Sequence, residues 1–370
     1  MIAIEAIKFN HNHNSATHDA LNIRKNATQF VHVPEWRRFI SVNPEDSPAA
    51  YAIAPTQGHA ITIEVSLITD DPSAAFIEVR VENHVKARAA NFINGKTGYV
   101  AFELIDPPVS HGQVGIWDLH WHWEYRLGPH HPWHHLDTTR HRMYVLLDVP
   151  SDPWEQGPYN AGNTQLPWTE VLDYACHWAS GATSRDMAAA LVTQSVYALG
   201  PAIMTYDCPG GGSSNYSAGN FDCTSFLDLL HGGLGNGIYV NCSDCATFVS
   251  SFANALGCDL WQSRMGYFFN LNDLLAIGSS VWQTACGWGS FSYHEVAWEG
   301  ACTANEDVYD ACLRVDGDND PTSPPHVPLL PQDLRFGNPG DLLYRDRLAT
   351  VAGRPNCNPQ PGTRQRRVVV

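Results

Sequence analysis

The spacing of the apolar residues changes once along this 370-residue chain, near residue 150. From about Tyr51 to Asp148, apolar and polar residues alternate in short runs with turn residues between them. A period of two places every second side chain on the same face of a strand, so this region predicts half-buried strands. After Pro150 and Pro153, apolar residues recur at steps of three and four, which is the period of a helix.

The alternating runs lie at 59–67, 76–81, 99–104, 117–125 and 143–148. Several short strands within about a hundred residues are typical of an antiparallel β-sandwich, such as an immunoglobulin-like domain. We therefore predict an antiparallel β-sandwich domain over residues 1–152, followed by an α+β domain over residues 153–370. The length of the chain also suits two domains better than one.

The composition differs between the two parts of the chain. Residues 1–150 contain 12 Lys and Arg, 16 Asp and Glu, 14 His and no Cys, whereas residues 151–370 contain 10 Arg, no Lys, 22 Asp and Glu, 4 His and all 10 Cys. This difference indicates two units of different origin, of which the first folds without disulfides. Spacing leaves the pairing of the cysteines open, and a bridge between Cys208 and Cys223 across a glycine-rich loop is one candidate.

The charge of the chain limits its partners. A net charge of −16 would repel nucleic acid and anionic lipid, so neither is an expected partner. No run of eighteen apolar residues occurs, so membrane insertion is not expected. The N-terminal segment lacks the apolar core and cleavage site of a secretory signal. The protein is therefore expected in the cytoplasm, or exported by a route without a Sec signal.

The second domain carries three predicted helices, which span Trp168–Ser180, Ser184–Leu199 and Cys242–Leu256. Ser184 and Asn241 are suited to cap the second and third of these helices, and Gly257 is suited to end the third. Phe291–Ala301 and Val308–Val315 are predicted to form a hairpin of two strands. Beyond residue 317 the chain is rich in proline, and an irregular structure is expected there.

Three residues of this domain can form a catalytic group. Cys242 begins the third predicted helix, and a helix N-terminus favours the thiolate, which is the nucleophilic form of cysteine. His294 lies on a predicted strand that would hold its ring in place, and its imidazolium would favour the thiolate further. Asp310 follows sixteen residues later in the paired strand, where its carboxylate can orient the imidazole. The predicted site is a Cys-His-Asp triad.

The region around these residues resembles the transglutaminase-like superfamily of cysteine enzymes, which is related to the papain-like fold. That superfamily has a Cys-x-Asp/Glu-x-Ala pattern that opens a helix ending in Ala-Leu-Gly. Here Cys242, Asp244 and Ala246 match the pattern, and residues 255–257 match the end of the helix. The order and spacing of His294 and Asp310 also fit, and the resemblance covers roughly residues 165–318.

The resemblance implies a cysteine protease, deamidase or transglutaminase that acts on amide bonds of a protein or peptide substrate. Cofactors and metals are not required for this chemistry, and the β-sandwich could contact a protein partner. The chain departs from the pattern after its histidine, where Glu295 and Val296 replace a small residue and a tryptophan. An oxyanion-binding side chain is not evident, although the backbone N–H of Cys242 is a possible donor.

Other functions stay open at this point. Cys242 and Cys245 form a Cys-x-x-Cys motif, which is also found at the helix start of thioredoxin-like oxidoreductases. The cis-proline of that fold has no counterpart here, because no proline lies between Pro209 and Pro321. A zinc site would need a second ligand pair, and no second motif of this kind exists. A noncatalytic binding protein that keeps the fold is the principal alternative.

Three further motifs are better explained by structure than by function. Residues 316–320 are rich in aspartate, but Pro321 and Val327 stand where an EF-hand loop requires glycine and glutamate, so a solvated turn is expected. His120 and His122 share one strand face, and we expect the neighbouring tryptophans to be buried instead of a metal site. Residues 210–214 lack the Gly-Lys-Ser/Thr ending of a phosphate loop and predict a flexible loop.

Overall fold

The computed structural model describes residues 1–12, 16–71, 73–157, 162–332 and 334–370. The chain divides into two compact units, which we call the N-terminal unit (residues 1–149 and 155–183) and the C-terminal unit (residues 150–154 and 184–370). The predicted mixed α+β composition is confirmed. None of the helices in the described residues is both long enough and apolar enough to cross a membrane.

The strands of the N-terminal unit are β1 (Ile2–Lys8), β2 (Trp36–Arg37), β3 (Pro48–Ala52), β4 (Thr62–Thr69), β5 (Phe76–Val81), β6 (Val85–Asn91), β7 (Lys96–Glu103), β8 (Gly115–Arg126) and β9 (His134–Leu146). Its helices are α1 (Ile53–Thr56) and α2 (Thr169–Trp178). Short 3₁₀ turns lie at Pro44–Asp46 and Pro108–His111.

These strands form two sheets, with the orders β2-β1-β4-β7 and β3-β9-β8-β5-β6. Side chains from both sheets belong to one buried hydrophobic cluster, in which the rings of Phe102 and Trp123 meet edge to face at 6.1 Å. The pairing of β3 with β9 is parallel, unlike the antiparallel pairing predicted for the whole domain. A long stretch of chain connects these two strands, and only such a connection can pair strands in parallel.

The alternating pattern correctly located β4, β5, β7 and β8, but of β9 it detected only the C-terminal end, residues 143–146. On β8, Trp121 and Trp123 are buried and His120 and His122 are exposed, as the pattern predicts. The first strand, β1, was missed. Its burial does not alternate, because two successive residues are buried at two places along it. A period-two search therefore cannot detect it.

The strands of the C-terminal unit are β10 (Thr205–Tyr206), β11 (Tyr239–Val240), β12 (Trp261–Met265), β13 (Phe269–Asn270), β14 (Leu275–Ala276), β15 (Ser290–Phe291), β16 (His294–Trp298), β17 (Asp307–Tyr309), β18 (Leu313–Asp316), β19 (Pro328–Leu329), β20 (Leu334–Arg335) and β21 (Pro359–Gln365). Its helices are α3 (Arg185–Ala198), α4 (Cys223–Leu230), α5 (Cys242–Ala255) and α6 (Tyr344–Leu348). Two further 3₁₀ turns lie at Ala285–Gly287 and Arg354–Asn356.

The central sheet of this unit has the order β20-β17-β16-β12-β21, and α5 packs against β12 and β16. Helices α3 and α5 lie where the sequence predicts them, whereas α4 was not predicted. Helix α2 forms at its predicted place in the chain but belongs to the N-terminal unit, not to the second one as expected. The predicted caps are also present. Ser184 accepts a hydrogen bond from the N–H of Met187, and Gly257 has a φ of 86° at the end of α5. Glycine tolerates this left-handed conformation, which commonly terminates a helix.

Two expectations for this unit were wrong. The strand predicted at 308–315 is interrupted, because one carboxylate oxygen of Asp310 accepts hydrogen bonds from the N–H groups of Cys312 and Leu313 and turns the chain between β17 and β18. The tail predicted to be irregular contains β21, which forms an edge of the central sheet by pairing with β12.

The candidate bridge between Cys208 and Cys223 was also wrong. Cys208 forms a disulfide with Cys286 instead. Cys223 begins α4, is fully buried and takes no part in this disulfide. The loop that follows Cys208 therefore connects to the 3₁₀ turn at Ala285–Gly287, which lies far along the chain. Sequence spacing does not reveal such a distant partner.

Candidate active site

Cys242 is the first residue of α5 and is 7% exposed. The preceding residue, Asn241, caps the helix by accepting a hydrogen bond from the N–H of Asp244 at 3.0 Å. The Asp244 carboxylate accepts a hydrogen bond from the N–H of Asn241 in return, at 3.2 Å. This reciprocal capping box fixes where the helix begins, so it also fixes the position of Cys242 at the positive end of the helix dipole.

His294 and Asp310 meet on the central sheet. His294 begins β16, and Asp310 directly follows β17, which pairs with β16. The Nε2 atom of His294 lies 2.9 Å from Oδ2 of Asp310, and both side chains are buried. The ring of His294 also stacks on Phe291, with 5.4 Å between the ring centroids. The hairpin thus brings together two of the three predicted site residues and holds the imidazole in one orientation.

The Asp310 carboxylate is itself held on several sides. The hydroxyl of Tyr344 donates to Oδ2 at 2.8 Å, while the N–H groups of Cys312 and Leu313 donate to Oδ1. Tyr344 begins α6, in the region that the sequence predicted to be irregular. These contacts stabilise a carboxylate in a buried place where an unpaired charge would be costly.

Cys242 and Asp310 both act on the charge of His294. Burial alone would lower the pKa of His294, but the carboxylate of Asp310 and then the thiol of Cys242 raise it to about 10. Nε2 is committed to Asp310, and among the described residues the buried Nδ1 atom has no hydrogen-bond partner within ordinary limits. Nδ1 is therefore the nitrogen left for the thiol. The imidazole keeps its positive charge at neutral pH.

Tyr206 is a neighbour of Cys242 that the sequence interpretation missed. It lies on β10, which pairs in parallel with β11. The last residue of β11 stands two positions before Cys242, where α5 begins. Burial and, after it, the charge of Cys242 raise the pKa of Tyr206 well above its ordinary value. Its hydroxyl stays neutral and is able to donate a hydrogen bond. A tyrosine 36 positions before the cysteine carries no spacing signal that would identify it.

The loop that precedes α4 is hydrogen-bonded to residues at the start of α5. The side-chain amide of Asn241 donates to the carbonyl of Gly212 and to the hydroxyl of Ser214. The Asp244 carboxylate accepts hydrogen bonds from the N–H groups of Asn215 and Tyr216. Asp244, which the resemblance singled out, therefore positions the loop beside the nucleophile.

The unusual Glu295 has a structural explanation. Its carboxylate accepts hydrogen bonds from Arg367, with N–O distances of 2.6 and 3.2 Å, and from the hydroxyl of Ser243 at 2.7 Å. Burial would raise the pKa of Glu295, but Arg367 lowers it below the ordinary value. Arg367 comes from the C-terminal tail, so no local pattern indicates that the two residues meet.

Cys245 is buried on α5, and burial raises the pKa of its thiol. Both Cys242 and Cys245 are free thiols, and Cys245 interacts with the thiol of Cys312. The Cys-x-x-Cys motif is therefore not bridged in this structure.

The aspartate-rich segment forms a turn. The carboxylate of Asp316 accepts hydrogen bonds from the N–H groups of Asp318 and Val327 and contacts Nδ1 of His326 at 2.6 Å. Its oxygens are therefore occupied by the protein itself. In the part of the chain that the structure describes, no group of three His, Cys, Asp or Glu residues is arranged to hold a metal ion.

Comparison with known proteins gave a structural likeness alone. No family model matches the chain, and no curated protein matches it. Among solved structures, the chain is similar to the transglutaminase of red sea bream, with a TM-score of 0.39 and 12% sequence identity. The likeness covers 83% of this chain and 52% of that one, so the chain spans about half the length of the fish enzyme.

Proposed function

We propose that this protein is a cysteine-dependent acyl-transfer enzyme that acts on amide bonds of protein or peptide substrates. Cys242 is the nucleophile, His294 is the general acid and base, and Asp310 orients His294. The observation that carries the proposal is the buried contact of 2.9 Å between His294 and Asp310, together with the influence of Cys242 on the same imidazole. An imidazolium beside a cysteine at a helix N-terminus is the environment that generates a reactive thiolate.

In the proposed first step, Sγ of Cys242 attacks the carbonyl carbon of the amide and forms a tetrahedral intermediate. The C–N bond then breaks, and the Nδ1 proton of His294 passes to the departing amine. A thioester remains on Cys242. Water or an amine attacks the thioester next, His294 accepts the proton of this nucleophile, and the thiolate leaves. Water would yield protease or deamidase activity, and an amine would yield cross-linking.

Two donors are available for the oxyanion of the intermediate. The N–H of Cys242 lies in the first turn of α5, where backbone N–H groups have no acceptor within the helix. The hydroxyl of Tyr206 is proposed as the second donor, because its raised pKa keeps it protonated and the residue lies near enough for its charge to interact with that of Cys242. Donors that are already oriented stabilise developing negative charge without reorganisation. The proposed chemistry uses no metal or cofactor.

The architecture proposed for this enzyme is a transglutaminase-like catalytic domain preceded by a β-sandwich. The two sheets of the N-terminal unit, which share one apolar cluster, support the second element. The sandwich is also proposed as a contact surface for a protein partner.

Trapping of the acyl-enzyme tests the proposal. The protein is mixed with a set of glutamine-containing peptides, with and without methylamine, and the reaction is quenched in acid. The mass of the intact protein is then measured by mass spectrometry. We expect a peptide adduct on Cys242 that is absent in Cys242→Ala and retained in the matched control Cys245→Ala. Methylamide products would indicate transfer, and acids would indicate hydrolysis. An adduct that persists in Cys242→Ala, or the lack of any adduct in the unmodified protein, would contradict the proposal.

The competing function, a noncatalytic binding protein, is favoured by one observation. Cys242 is 7% exposed and the His294 side chain is fully buried, so a substrate has little access to them. The two functions differ in a simple way. A binding protein would retain full affinity for its partner in Cys242→Ala and would form no thioester, whereas the enzyme would lose turnover.

A further inference from the structure

A cavity of about 480 Å³ lies beside the candidate active site in the C-terminal unit. Its lining includes Ser243, which follows the nucleophile, and Tyr293, which precedes the histidine. Arg264, Arg367 and the loop residues 213, 214 and 217–219 contribute other parts of the wall. Ser243 and Tyr293 are the chain neighbours of Cys242 and His294, so the cavity lies next to the start of α5 and the start of β16.

Two arginines share one carboxylate at this cavity. Both carboxylate oxygens of Glu295 are paired with Arg367, and the carboxylate also accepts a hydrogen bond from the hydroxyl of Ser243. Arg264 is the more distant partner, with 3.7 Å between its Nε atom and Oε2 of Glu295. Arg367 therefore neutralises Glu295, and the charge of Arg264 is left over in the cavity wall. This excess positive charge occurs in a protein with a net charge of −16.

The guanidinium of Arg264 is held in place and is still available. It stacks on the ring of Tyr293, with 4.2 Å between the guanidinium carbon and the ring centroid. Its backbone lies on β12, where it is paired with Glu295 of β16. The side chain is 40% exposed, and its Nε atom is buried without a hydrogen-bond partner in the described residues. A fixed guanidinium with free donors is suited to bind a carboxylate in a bidentate manner.

We propose that this cavity binds the carboxylate of an acidic residue of the substrate, close in sequence to the amide that Cys242 attacks. The proposal rests on the proposed function and names the substrate class for the same site. Arg264 is its specificity-determining residue. The net negative charge of the protein would otherwise disfavour an acidic peptide, so a local positive group is needed for the preference.

Matched peptides test this inference. Each contains one reactive glutamine, and one flanking position at a time carries Glu, its neutral isostere Gln, or Lys. At one flanking position, we expect the Glu peptide to be acylated with a kcat/KM about tenfold higher than its Gln counterpart, the size expected for a charge-assisted contact at a half-exposed site. The preference should weaken as the salt concentration rises, because salt screens exposed charges.

Variants assign the preference to its residue. The ratio between the Glu and Gln peptides should fall to about one in Arg264→Gln, and Arg264→Glu should favour the Lys peptide. Arg264→Lys should keep part of the preference, because it keeps the charge but not the bidentate geometry. The matched control is Arg335→Gln, an arginine that is 68% exposed on β20, and it should keep the full ratio.

Two results would overturn the inference in different ways. Acyl-enzyme formation without any preference for Glu, or a preference that survives in Arg264→Gln, would refute the acidic substrate and leave the proposed function standing. No acyl-enzyme with any peptide, including the acidic ones, would refute both. The salt dependence of the unmodified protein provides a test that does not depend on the folding of any variant.

Discussion

His141 in the N-terminal unit and His294 in the C-terminal unit are both buried, yet their charges differ. Burial lowers the pKa of His141 to about 3, whereas that of His294 is raised to about 10 despite burial. The difference lies in the partner of Nε2, which is the hydroxyl of Thr139 in one case and the carboxylate of Asp310 in the other. Burial neutralises a histidine unless a carboxylate is buried with it.

The surroundings of the two histidines differ in the same way. His141 packs between aromatic rings, with 4.6 Å to the ring centroid of Trp121 and 4.9 Å to that of Phe9. Around α5, by contrast, the buried side chains include charged and polar groups that bond to one another, such as Glu295 and Arg367. The core at His141 is organised by apolar packing, and the one around α5 is organised by charge pairs at a candidate site.

The largest expected effect comes from making His294 resemble His141. Asp310→Asn keeps the shape of the side chain but removes its charge, so the pKa of His294 should fall and the imidazole should lose its orientation. We expect acyl-enzyme formation to slow by roughly 10³- to 10⁴-fold, measured by rapid quench. Rates within threefold of the unmodified protein would contradict the role assigned to the carboxylate of Asp310.

The charge pair between Arg367 and Glu295 provides the second test. Arg367→Leu leaves the buried Glu295 without its main partner and should reduce the free energy of unfolding by about 3–5 kcal/mol in urea titrations. Arg335→Gln removes an exposed arginine from the same unit and should leave the stability within about 0.5 kcal/mol. Equal effects of the two substitutions would contradict a core organised by charge.

The stability contributions of His294 and His141 should depend on pH in opposite directions. The contribution of His294 to the free energy of unfolding is complete below its ordinary pKa of 6.5 and is lost as the pH rises through about 10. The contribution of His141 is complete above 6.5 and is lost as the pH falls towards about 3. Ring signals in an NMR titration should therefore show His294 protonated and His141 neutral at pH 7. Two rings that both titrate near 6.5 would refute this account.

The smallest expected effect concerns the helix caps. Asn241→Ala removes the cap of α5 and two hydrogen bonds to the adjacent loop and should destabilise the protein by about 2 kcal/mol. Ser184→Ala removes a single cap bond from α3 and should cost about 1 kcal/mol. Thermal unfolding of both variants would show whether the cap at the candidate site is the stronger one.

Local patterns predicted the strands and helices that are regular. Alternation located most long strands of the N-terminal unit, and the cap residues located α3 and α5. Hydrophobic periodicity and capping act over a few residues, so one sequence is enough to detect them. Strand β1 was missed because its burial is not periodic.

The candidate site was predictable only in part. The spacing of His294 and Asp310 within one hairpin is a local feature, and the structure places them together. Tyr206, Tyr344 and Arg367 approach the site from distant segments: Tyr344 is 34 residues from its partner Asp310, and Arg367 is 72 residues from its partner Glu295. Their positions depend on tertiary packing, for which the sequence alone contains no short-range signal.

The most direct test of the central claim is the rate at which iodoacetamide alkylates Cys242 as a function of pH, with Cys242→Ser as the background. If the imidazolium of His294 holds a thiolate in place, Cys242 should react at pH 6, and its rate should stay nearly constant up to pH 9. The same curve in Asp310→Asn should become steep. A rate in the unmodified protein that rises about tenfold per pH unit, as for an ordinary thiol below its pKa, would contradict the account.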